Sequence, residues 1–202
     1  LGQLRLLTAL LCLGLTINRN HDYRSGLSIW ADTAAKAPLN ARAHTNWGNA
    51  LSRLTRLTEA LPQYHEAIRI DPGYAEGHYN LGLALLKNKQ PAEAIPHFTE
   101  GLRLRPDDAD GHRNIGNALA LVDRMPEAVA HYESAVKLEP EQAEGQAYLG
   151  WALLSSARPA EAIPHLEKAL RLDPYASRIE FDLANALNEA GRGTEALRHY
   201  EV

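Results

Sequence analysis

From residue 41 onward, apolar positions recur at helical spacing over stretches of about a dozen residues, separated by short polar turns, and no strand-like alternation interrupts them. A longer rhythm runs through these stripes. Leu81, Gly82, Leu85, Ala94, Phe98, Gly101 and Pro106 are matched 34 residues upstream by Trp47, Gly48, Leu51, Ala60, Tyr64, Ala67 and Pro72. Downstream they are matched by Ile115, Gly116, Leu119, Ala128, Tyr132, Ala135 and Pro140. Leu149, Gly150, Leu153, Ala162, Leu166, Ala169 and Pro174 follow, and Leu183, Ala184, Leu187, Ala196 and Tyr200 close the series. The period predicts helix pairs. Gly or Ala in the first helix and Ala in the second allow close approach, and an aromatic or leucine fills the wedge between them. The closing Pro drives its predecessor out of the helical region and ends the second helix. Gln90-Pro91, Met125-Pro126, Arg158-Pro159 and Gly191-Arg192-Gly193 fall between the two helices of a pair. Pro62, Pro96 and Pro164 lie about one turn inside second helices, where slight kinks are expected.

The 34-residue period, the Leu-Gly pair, and the Ala, aromatic and Pro positions resemble the tetratricopeptide repeat family over residues 41–202. The resemblance implies an all-α, right-handed superhelical solenoid of antiparallel helix pairs, with first helices lining a concave groove. One hairpin cannot bury its own face, so the repeats must stack. The expected organisation is an apolar helix plus a divergent first repeat over residues 1–40, then an array of four full repeats and a truncated fifth over 41–202.

Residues 6–17 (LLTALLCLGLTI) form an apolar run that is too short by itself for a membrane helix, which needs about 20 residues. Because the chain starts at Leu1 and not Met, the run can be read as the end of a longer span. It can also be read as a signal-peptide core, although no small-x-small site follows. The repeat frame gives a third reading: Leu13-Gly14, Ile17, Gly26, Trp30, Thr33 and Pro38 fall on repeat positions. Residues 18–47 are also similar to the junction between the last membrane span and the first repeat in transmembrane-and-TPR mannosyltransferase-like proteins. That similarity implies a membrane partner through an upstream span and a membrane-associated or extracytoplasmic bacterial location.

A net charge of −4 and a pI near 6.1, with basic residues dispersed among acids, argue against a nucleic-acid partner. The single cysteine, Cys12, excludes an internal disulfide and a cysteine metal cluster. His44, His78 and His112 recur in first helices, and His97, His131, His165 and His199 in second helices. Repeat-to-repeat distances of roughly 8–10 Å per helix packing are too long for a shared metal. The His97 series is expected to face the convex side. Glu93, Glu127, Glu161 and Glu195 start second helices, where a carboxylate favours the dipole. No nucleophile, phosphate-loop or metal signature stands out, so neither catalysis nor a cofactor is expected.

The candidate binding residues are asparagines. Asn46, Asn80 and Asn114 precede the Leu-Gly position, and Asn49, Asn117 and Asn185 lie one turn along the same helix face. The first series matches the asparagine ladder of the TPR superhelix of O-GlcNAc transferase, which implies amides that hold an extended peptide backbone. An amide offers both donor and acceptor. Tyr148 and Asp182 replace asparagine in the last two repeats. Asn49 and Asn80 also match carboxylate-clamp positions, but Thr45, Asp110 and Asn114 stand where the clamp needs bases. The expected function is a non-enzymatic scaffold binding a peptide or protein through Asn46, Asn49, Asn80, Asn114 and Asn117. The alternatives are a subunit that assembles head-to-tail into a filament, and the TPR region of a membrane glycosyltransferase-like protein.

Overall fold

The computed structural model describes residues 26–200. Among them every helix or strand element is an α-helix: α1 Gly26–Lys36, α2 Ala41–Arg53, α3 Leu57–Ile70, α4 Ala75–Lys87, α5 Pro91–Leu104, α6 Ala109–Ala120, α7 Met125–Leu138, α8 Ala143–Ser155, α9 Pro159–Leu172, α10 Ser177–Glu189 and α11 Gly193–Tyr200. The described residues divide between Ala84 and Leu85 into two compact units. In the first, α1 packs on α2 and α2 on α3. In the second, each helix from α5 to α10 packs on its successor, and the first helices also touch one another, α6 on α8 and α8 on α10. Short connections make neighbours antiparallel, which gives the all-α, helix-pair solenoid expected from the period.

The buried seam falls where the period places it. Ala60, Ala94, Ala128 and Ala162 are 0% exposed, as are Phe98, Tyr132 and Leu166. Close approach explains the glycines: a Cβ on Gly48 would stand 2.6 Å from the Tyr64 ring, one on Gly116 2.6 Å from the Tyr132 ring, and one on Gly150 2.5 Å from Leu166 Cγ. Two positions depart from the expectation. Trp47 is only half-buried, and Tyr200, in the repeat that carries Ala184 in place of glycine, is 44% exposed.

The turn between the helices of a pair is fixed by backbone geometry more than by residue type. Thr55, Lys89, Asp123, Ala157 and Gly191 occupy one repeat position, all have positive φ, and only the last is glycine. In each case the next N–H bonds back to the carbonyl of Leu51, Leu85, Leu119, Leu153 or Leu187, at 2.8 to 3.0 Å. This is the six-to-one bond that closes a helix through a left-handed residue. Helices α3, α5 and α9 run on through Pro62, Pro96 and Pro164. These prolines, and the residues four positions before them (Thr58, Ala92 and Ala160), are exposed, so water can serve the carbonyls left without a donor.

Helix α1 stands where the divergent repeat was expected to place its second helix, with Ala34 buried and Trp30 half-buried. Residues 6–17, with Cys12, and residues 201–202 lie outside the described residues, and with the former the first helix expected for that repeat. Among the described residues no helix is long and apolar enough to cross a membrane. The longest span 14 residues, against the roughly 20 a bilayer requires.

Candidate functional site

The asparagines sit on first helices and are all half-buried: Asn46 and Asn49 on α2, Asn80 on α4, Asn114 and Asn117 on α6. The two series do different things. The Tyr64 hydroxyl donates to Asn49 Oδ1 at 2.8 Å, Tyr132 to Asn117 Oδ1 at 2.6 Å, and Tyr200 to Asn185 Oδ1 at 2.7 Å. Burial pushes the Tyr64 phenol up to about 12, against smaller opposing effects of Ser52 and Arg53, and pushes Tyr132 higher still. Both therefore remain donors across the working pH range. Asn49 and Asn117 thus commit their amide oxygens to the wedge tyrosine and keep only an NH2 group for a ligand. The side chains of Asn46, Asn80 and Asn114 make no hydrogen bond to another described residue. The sequence carried a signal for this split. Asparagine stands 15 residues before each wedge tyrosine, while Leu83 precedes Phe98 and Trp151 precedes Leu166.

His131, His165 and His199 turn toward the first helix of their own pair and not outward as expected. His44 pairs with Gln63 at 3.0 Å, His112 with His131 at 3.0 Å, Gln146 with His165 at 2.8 Å, and Glu180 with His199 at 3.1 Å. First-helix members also reach the Pro carbonyl that ends the preceding helix pair: His44 to Pro38, His78 to Pro72 and Gln146 to Pro140. Of the glutamates expected to serve the helix dipole, Glu93 accepts from Gln90 Nε2 at 2.6 Å, and Glu127, Glu161 and Glu195, with Glu59, the counterpart of Glu93 one repeat earlier, are each held by an arginine. Arg56, Arg124, Arg158 and Arg192 form two-pronged bonds of 2.7 to 2.8 Å to Glu59, Glu127, Glu161 and Glu195. Those bonds hold the four carboxyls below their ordinary range.

His112 and His131 meet through their Nδ1 atoms, so the pair accommodates one bridging proton, and a second sets two N–H groups head-on. Burial lowers both imidazoles, against an opposing effect of Asp108 at His112. At His131 the neighbouring His112 lowers the group further, and Glu127 opposes. A base whose folded-state pKa is depressed contributes stability that is full above the unfolded value, about 6.5, and is lost as pH falls. Urea midpoints of the chain are expected to drop between pH 7.5 and 5. His131→Gln, which installs the His-Gln combination of His44 and Gln63, should make that drop smaller. An unchanged drop in the variant refutes the assignment to this pair.

In the second unit, Asn114, Tyr148 and Asp182 stand on the three neighbouring first helices α6, α8 and α10. Tyr148 stacks on Tyr132, with ring centroids 5.6 Å apart and planes 7° from parallel. Of the clamp positions, Thr45 is fully buried and Asp110 pairs with Arg113. Among the described residues, no group of three or more His, Cys, Asp or Glu could hold a metal ion.

Solved structures share this fold. YrrB, described as a TPR protein with an unusual peptide-binding site, matches at 20% identity and a TM-score of 0.75, covering 85% of this chain and 89% of its own. MamA from Desulfovibrio magneticus RS-1 matches at 24% identity and 0.75, covering 80% and 91%. PilF from Pseudomonas aeruginosa matches at 24% and 0.69, covering 80% and 73%. No curated protein matches the chain. The family profile described as tetratricopeptide repeat matches residues 19–75, 45–109 and 79–147, and a second of the same description matches 153–201. This corrects the membrane reading. The stretch taken for a mannosyltransferase-like junction is matched as repeat from residue 19, and no described helix can span a bilayer. The membrane partner and the membrane-associated or extracytoplasmic location fall with it. With matches over most of its length and the helix pairs in phase with them, the chain belongs to the tetratricopeptide repeat family.

Proposed function

We propose that the chain is a non-enzymatic protein-interaction scaffold that holds an extended peptide against its first helices. Supporting this is the contrast between the two asparagine series. Asn49 and Asn117 are bonded within their hairpins, whereas Asn46, Asn80 and Asn114 are half-buried on first helices with both donor and acceptor unspent. Such amides pair with a main chain without demanding a particular side chain. The description of YrrB as having a peptide-binding site agrees with this reading.

Selection of a random peptide library on the full chain is expected to yield binders. Asn46→Ala, Asn80→Ala and Asn114→Ala should each weaken them by roughly 1 kcal/mol, about fivefold, with helicity unchanged. Binders insensitive to all three changes overturn the amide ladder, and no binders at all overturn the scaffold.

A further inference from the structure

Between α8 and α10 a cleft of about 130 Å³ is lined by Glu144, Ala147, Tyr148, Trp151, Arg178, Ile179 and Asp182. We propose that this cleft takes the basic side chain, arginine or lysine, of a bound peptide, with Asp182 as its counter-charge and Trp151 and Tyr148 as its aromatic walls. The inference rests on the scaffold reading and adds to it the chemistry of one anchoring residue.

The charge inside the cleft is negative. The Asp182 side chain is 17% exposed, whereas Arg178, its nearest cation, is 80% exposed and keeps its Nε 3.9 Å from the carboxylate, too far for a hydrogen bond. Glu144 is drawn toward Arg113, at 3.5 Å. Asp182 is therefore a sheltered carboxylate that accepts no hydrogen bond from another described residue. Burial also pushes its carboxyl above the ordinary range, against the Arg178 charge, as expected of an acid short of a cation. A guanidinium or ammonium in the cleft would meet that carboxylate beside Trp151 and Tyr148, aromatic rings of the kind that attract cations. Its methylene stem would run along Ala147 and Ile179. The volume is that of about four waters, suited to one long side chain and not to a folded surface. An anionic residue would face Asp182 and Glu144 with only the outward-lying Arg178 in its favour.

Two of these residues mark where the asparagine ladder stops, since Tyr148 and Asp182 replace its fourth and fifth members. The ladder thus gives way from amides suited to any main chain to a site selective for one kind of side chain.

The test is a titration of the full chain with N-acetyl-arginine methylamide, followed by the Trp151 indole N–H resonance, beside the citrulline and glutamate counterparts. The arginine probe is expected to shift that resonance saturably. The uncharged and acidic probes should be at least tenfold weaker, and Asp182→Asn should abolish the preference while the circular dichroism spectrum stays unchanged. Equal binding of the citrulline probe, or a preference surviving Asp182→Asn, overturns the proposal. The peptide selection separates this failure from failure of the scaffold. Binders without enrichment in Arg or Lys, equally tight on Asp182→Asn, leave the scaffold standing and remove the cation pocket.

Discussion

Replacing Tyr132 with alanine is expected to cost about 3–5 kcal/mol of stability, the range for removing a large buried aromatic. Tyr132 is 0% exposed, its ring closes the gap left by Gly116, and its hydroxyl bonds to Asn117. Tyr132→Phe removes only the hydroxyl and should cost about 1 kcal/mol, mostly because Asn117 Oδ1 loses its donor. Combining it with Asn117→Leu gives the Leu-Phe combination found naturally at Leu83 and Phe98, and should recover most of that loss. Urea unfolding followed by circular dichroism measures all three. A Tyr132→Phe variant as stable as the parent, or a double variant no better than the single, removes the hydrogen bond from the account.

The second large effect is expected at Gly150. An added Cβ would stand 2.5 Å from Leu166 Cγ, 2.7 Å from Cδ2 and 3.3 Å from the Leu166 backbone nitrogen. Leu166 is fully buried, so it has no solvent into which to turn, and α8 and α9 must separate. Gly150→Ala should therefore cost about 1–3 kcal/mol, despite alanine's better helix propensity of about 1 kcal/mol. Gly193, where the nearest atom to an added Cβ is 3.9 Å away, is the control, and Gly193→Ala should leave the unfolding midpoint unchanged or slightly raised. A neutral Gly150→Ala contradicts the close helix approach.

Much of the fold was legible because a 34-residue repeat states each structural requirement several times. Ala60 alone says little, but Ala60, Ala94, Ala128, Ala162 and Ala196 in register say that two helices touch there. The site was harder to read, since polar residues on one helix face look alike until their partners are known. Asn46 and Asn49 are three residues apart on α2, yet only the second is tied to a tyrosine 15 positions away. Comparing repeats with one another, asparagine with tyrosine and leucine with phenylalanine, would have exposed the tie. The histidines were misplaced for a similar reason. Adjacency to the buried aromatic suggested an outward direction, while the pairing 19 residues back, His112 with His131 or Gln146 with His165, points into the seam. The membrane reading rests on a similarity of residues 18–47 and an apolar run beside them, whereas those residues keep the repeat phase and are matched as repeat from residue 19.

The asparagine-tyrosine tie occurs in alternate hairpins, at 49 and 64, 117 and 132, and 185 and 200. The shape of the array therefore recurs with each hairpin, but its internal polarity recurs only with every second one. Arrays of near-identical units are prone to exchange, in which a first helix takes the second helix of the wrong unit. A slip by one hairpin would bury a tyrosine hydroxyl beside Leu83 or Trp151 without an acceptor, at a cost of about 1–3 kcal/mol each time. A slip by two hairpins would carry no such penalty. Misassembled chains, where refolding at high concentration produces them, should thus be exchanged by even numbers of hairpins.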